Sequence, residues 1–176
     1  MIQQTLYLFF LFAIPLFVQF RGWPVSWLFA SAALCYVVIA GISFAEIKLI
    51  LAQIERAEPA YHDTYYVTHA GNYATSFALA MTFFAATSWL QERYAAMRFP
   101  KLTKGFFWLL HLAVLGSASA PIWIGRLFMP RRYVDYPEYF QIVNWIATGS
   151  AALSLFSCVG LLVLLIWSCV AKWRSR

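Results

Sequence analysis

The sequence predicts an all-α polytopic membrane protein with about five transmembrane helices, its N-terminus outside and its C-terminus inside. Three observations carry that reading. The 176 residues are 62% hydrophobic and only 11% charged, far from the balance of a soluble domain. Five apolar stretches, near 4–20, 25–52, 64–91, 104–128 and 139–171, approach or exceed the ~20 residues that cross a bilayer. If all five cross, the inner side collects Arg21, Arg93, Arg98, Lys101, Lys104, Lys172, Arg174 and Arg176 against Glu92, a net +7. The outer side then holds Lys48, Arg56, Arg126, Arg131 and Arg132 against Glu46, Glu55, Glu58, Asp63, Asp135 and Glu138, a net −1. Lys and Arg accumulate on the cytoplasmic side of membrane proteins. The formal charge of +6 therefore reads as membrane orientation, and no nucleic-acid partner is expected.

The first stretch has no basic residue before its apolar run, since Arg21 follows it, so a cleaved signal peptide is not expected. Arg21-Gly22-Trp23-Pro24 makes a tight turn with an interfacial tryptophan and forces stretches one and two into an antiparallel hairpin. Beyond Trp27–Ile42 the second stretch carries Glu46, Lys48, Glu55, Arg56 and Glu58. Glu46 and Lys48 are two residues apart and lie on different helix faces, which disfavours a functional intramembrane pair. The adopted reading is a helix that continues past the apolar run with its charges solvated or snorkelling.

The third stretch contains His69, and the fourth contains His111 among Leu109, Leu110 and Leu112. Each lone histidine is read as an interhelical hydrogen bonder before it is read as a ligand. Gly116-Ser117-Ala118-Ser119-Ala120 in the fourth stretch and Ala147-Thr148-Gly149-Ser150-Ala151-Ala152 in the fifth are small-residue runs of the kind that let helices approach closely in lipid. Cys35, Cys158 and Cys169 all fall in apolar helical stretches, an odd number without a metal-binding spacing. No repeat or linker divides the chain, so 1–176 is expected to be a single transmembrane domain.

Two motifs are not explained by membrane spanning alone: His62-Asp63-Thr64-Tyr65-Tyr66-Val67, and Met129-Pro130-Arg131-Arg132-Tyr133-Val134-Asp135-Tyr136-Pro137. In order and spacing they resemble the C-terminal part of subunit I of the heme–copper respiratory oxidases. Tyr73 and Ser76 extend the first match, Glu138, Tyr139, Phe140 and Asn144 extend the second, and Lys104, Phe107 and Ser154 fit the helices between and after. The resemblance covers about 62–155, and residues 1–61 form a helical hairpin that corresponds by position only.

The resemblance implies a packing like the last helices of that subunit, and it implies site residues. In the family two histidines two residues apart bind the high-spin and low-spin hemes, because positions i and i+2 lie about 200° apart around a helix. Here those positions are Ala70 and Asn72. His69 precedes the high-spin position by one residue and is turned about 100° away from it. Arg131 and Arg132 resemble the arginines that hold heme propionates through bidentate forks. His62 and Asp63 resemble half of an outer-face magnesium site that a subunit II carboxylate completes. The copper-ligating helices of the family have no counterpart in this sequence.

The chain alone is therefore expected not to be an enzyme and to hold no heme or copper, with a divalent cation such as magnesium as the one candidate ion. The expected function is a non-catalytic subunit of a membrane respiratory or redox complex, scaffolding or docking its partners. Those partners are the lipid bilayer and other integral subunits, including an oxidase subunit II-like or subunit I-like protein. Arg131, Arg132, Tyr133, Tyr136 and Tyr139 are the expected partner contacts, since arginine and tyrosine anchor interfaces. The expected location is an energy-transducing membrane, a bacterial inner membrane foremost. One rival is an assembly factor for a heme–copper oxidase, which would want more outer-side ligands than His62. Another is an electron-transfer subunit with heme bound through His69 or His111.

Overall fold

Apolar runs in lipid satisfy their backbone internally by coiling into helices. A computed structural model describes residues 2–54, 70–95, 97–126 and 139–174. They form α1 (Ile2–Phe20), α2 (Val25–Ile54), α3 (Ala70–Leu90), α4 (Pro100–Arg126) and α5 (Tyr139–Arg174), with a π-helical turn at Gln91–Ala95 after α3. No strand occurs among the described residues. Two of their stretches, Val25–Ile42 and Asn144–Arg174, are long and apolar enough to cross a membrane, and Phe9–Phe20 is a shorter apolar helix. The expectation of five apolar stretches is met by five helices, although α3 and α4 are diluted by Thr, Ser, Lys and His. The helices gather into two compact units, Met1–Thr87 and Ser88–Arg176, with the division inside α3.

In the first unit the predicted hairpin is present. Gly22 has φ 69°, the left-handed conformation that glycine adopts without strain. The Gly22 N–H donates to the Gln19 carbonyl at 3.0 Å and the Trp23 N–H to the Val18 carbonyl at 3.4 Å. This paired pattern is the Schellman end of a helix, and Pro24 then prevents its continuation. The turn brings α2 back along α1, where the Cys35 thiol donates to the Phe10 carbonyl at 3.8 Å. Along α2 the buried residues Val25, Leu28, Phe29, Ala32, Ala33, Tyr36 and Ala40 form one stripe at helical spacing. On α3 the matching stripe is Ala74, Ala78, Met81 and Phe84. Phe29 meets Phe84 at 5.6 Å and Tyr36 meets Phe77 at 5.8 Å, so these helices also run antiparallel. The helix of α2 continues through Glu46 and Lys48 to Ile54, as expected of the second stretch.

In the second unit α4 begins at Pro100, four residues before the expected position. Proline suits the first helical position because its missing N–H would have no partner there. The Phe99 carbonyl accepts from both the Thr103 N–H and the Thr103 hydroxyl, each at 3.0 Å. Contacts of Phe99 with Trp167 and Phe106 with Phe156, at 6.1 and 5.9 Å, show that α4 and α5 are antiparallel. The buried stripe on α4 is Thr103, Phe107, Leu110, His111 and Val114; on α5 it is Ser157, Leu161 and Ser168.

Candidate functional site

The residues His62, Asp63, Arg131, Arg132, Tyr133 and Tyr136, together with His69, lie outside the described residues. Tyr139 opens α5, but its side chain is likewise outside them. The ligand-equivalent positions Ala70 and Asn72 both fall in the first turn of α3. A methyl group offers no donor atom to a metal, and an amide is a poor substitute for imidazole as a heme ligand. The two positions present in α3 thus do not fit two heme irons.

Of the candidate ligands, His111 is the one whose surroundings are described. Its side chain is fully buried, 0% exposed, on the packed face of α4. Its ring stacks on Phe107 one turn earlier, with centroids 5.5 Å apart and planes 12° from parallel. Trp108 stands edge-on to it at 5.8 Å. An iron bound to this nitrogen ring would need an open approach in the ring plane, and a porphyrin face would need the volume the packed helices fill. Hydroxyls of α5 are satisfied within their own helix: the buried Ser157 donates to the Leu153 carbonyl at 2.7 Å and the half-buried Ser154 to the Ser150 carbonyl at 2.9 Å.

Another buried polar side chain, Gln91, clamps the π-helical turn. Gln91 Nε2 donates to the Leu165 carbonyl of α5 at 2.7 Å and lies 3.9 Å from Cys169 Sγ. Lys172 Nζ donates to the Tyr94 carbonyl of the same turn. Sequence reading did not single out this turn; the polar run Gln91-Glu92-Arg93 directly after an apolar helix was the available signal.

The two small-residue runs do come together. A Cβ at Gly116 would collide with the Ser150 side chain, and one at Gly160 would fall within the Phe106 ring. The first pair joins the runs named from sequence. The second was not foreseen, because a lone glycine in an apolar stretch carries no distinguishing pattern.

Comparison with known proteins bears on what these helices are. Cytochrome c oxidase subunit 1 of Cereibacter sphaeroides is 30% identical over 135 residues, covering 76% of this chain and 23% of that protein. The namesake from Albinaria turrita is 30% identical over 115 residues, 65% of this chain and 58% of its own length. That of Plasmodium berghei is 26% identical over 136 residues, 76% of this chain and 28% of its own. The chain thus spans between about a quarter and three fifths of the curated relatives it matches. Neither a protein-family model nor a solved structure gives a significant match. The two motifs, the all-helical fold and these three alignments agree: the chain is a relative of cytochrome c oxidase subunit 1, similar to a part of it over two thirds to three quarters of its own length.

Proposed function

We propose that this chain is a non-catalytic subunit of a membrane respiratory or redox complex, carrying neither heme nor copper and docking or scaffolding its partners. The observation that carries the reading is the pair Ala70 and Asn72 in the first turn of α3, in a chain related to an oxidase subunit. Iron ligation needs imidazole, thiolate, thioether or phenolate donors, and these two side chains supply none. All five helices span the bilayer in this reading, with the N-terminus outside, as the distribution of Lys and Arg favours. The host is an energy-transducing membrane such as a bacterial inner membrane.

Arg131, Arg132, Tyr133, Tyr136 and Tyr139 form the partner-facing loop on the outer side. His62 and Asp63 contribute two ligands to a divalent cation such as magnesium, and an oxidase subunit II-like partner completes the site. The electron-transfer alternative through His111 is opposed by the stacking of its ring on Phe107 within a fully buried stripe.

The test is the isolated full chain, assayed by pyridine hemochrome and by metal analysis. Neither heme nor copper is expected at a stoichiometric level. One heme per chain, lost in His69→Ala or His111→Ala, would replace this proposal with the electron-transfer subunit.

A further inference from the structure

In the second unit one end is strongly and unevenly charged. Phe99, just before α4, meets Trp167, so α5 runs on for seven residues to Arg174, about 10 Å of helix. It passes the π-helical turn, to which Lys172 and the Leu165 carbonyl bind. This end therefore collects Arg93, Arg98, Lys101, Lys104, Lys172 and Arg174, with Glu92 as the one carboxylate among its described residues. Arg93, Arg98, Lys101 and Arg174 are exposed, and Lys104 is half-buried one helical turn beyond Lys101 on the same face. The N-terminus of the 27-residue α4 opens here too, adding the positive end of its peptide dipoles.

A second observation says what kind of anion fits. Trp89, Tyr94, Trp167 and Trp173 lie at the same end, and each is more than half exposed. Tryptophan and tyrosine in this position are interfacial side chains, apolar in the ring and polar at the tip. They stand where the apolar span Asn144–Arg174 ends. A soluble polyanion would explain the cations and leave the aromatic rings without a role.

We propose that this basic, aromatic end binds the headgroup phosphates of anionic phospholipids, with Arg98, Lys101 and Lys104 as the principal contacts and the exposed rings beside the acyl chains. This inference needs only that the chain is embedded in a membrane. It stands or falls separately from the accessory-subunit reading.

The experiment is native mass spectrometry of the full chain in neutral detergent, titrated with phosphatidylglycerol or phosphatidylcholine at equal mole fraction. Wild type should retain phosphatidylglycerol at least tenfold better. The combined Arg98→Gln, Lys101→Gln, Lys104→Gln variant should lose that preference, since each cation near a surface contributes about fivefold. Lys101→Arg with Lys104→Arg should keep it, and Arg21→Gln in the first unit should leave it unchanged. Glycerol 3-phosphate at equal concentration should not displace the lipid. Circular dichroism checks that the variants are folded; if the triple variant is not, Lys101→Gln alone should cost about fivefold. No preference in wild type, full preference in the folded charge variant, or displacement by glycerol 3-phosphate would overturn the proposal.

Discussion

The pair α1–α2 is joined by four residues, Arg21 to Pro24, whereas α4–α5 is joined by the twelve residues 127–138. The two pairs differ in how their register is held. In the first, the Schellman turn at Gly22 returns the chain within a few residues, so the connection itself sets which turns face each other. In the second, tripling the connection costs only about 1 kcal/mol in loop closure, and a long connection does not choose a register. The choice is made along the interface instead, where Gly116 admits Ser150 and Gly160 admits the Phe106 ring. Exposure differs in the same sense: half of Val25–Ile42 is buried, against 17% of Asn144–Arg174. A helix touching its neighbour along so narrow a stripe depends on a few close fits.

The strongest way to break the comparison is at Gly160. Leucine there would have to displace the Phe106 ring, an overpacking that should cost about 2–3 kcal/mol. Thermal unfolding in detergent measures it, and Phe106→Ala in the same chain should restore part of the loss. An unchanged melting curve would show that α4 and α5 do not approach this closely.

A middle-sized effect is expected in the other pair. Gly22→Ala places a Cβ in the left-handed region and should cost about 1 kcal/mol. Nothing lies within 4 Å of the added carbon, so the cost is backbone strain alone. Gly22→Asn should cost less, and no substitution on the facing helix should rescue either. Rescue by an interface change would mean that the first pair, too, is held by packing.

The smallest effect sharpens the account of the π-helical turn. Gln91→Leu removes the bond to the Leu165 carbonyl and should cost about 0.6 kcal/mol, the average for interhelical hydrogen bonds in membranes. Hydrogen exchange at residues 91–95 should rise more than the global stability falls. Equal changes in both would make the bond a global contact.

Much of this architecture was legible in the sequence, because helices in lipid announce themselves by apolar length and turns by residue type. Arg21-Gly22-Trp23-Pro24 reads directly as the hairpin it forms. The fourth helix begins at Pro100, ahead of the apolar stretch, because Lys101 interrupts the apolar window while the Pro100 start signal depends on position and not on hydropathy. Gly116 was legible through its small-residue run, but Gly160 required knowledge of what faces it. The stacking of His111 on Phe107 follows the i, i+4 spacing, yet the same spacing would fit two residues turned to lipid. The relation to the oxidase subunit was legible in two motifs whose residues lie almost wholly outside the described ones.

The hydroxyl groups of α3 and α5 have a consequence for how the chain is made. Thr82, Ser154, Ser157 and Ser168 each donate to the carbonyl four residues earlier, at 2.7–2.9 Å. A hydroxyl with an acceptor inside its own helix enters hydrocarbon without waiting for another helix to satisfy it. These four hydroxyls thus place no demand on a neighbouring helix, whereas Gln91 finds its acceptor only when α5 has arrived to offer the Leu165 carbonyl.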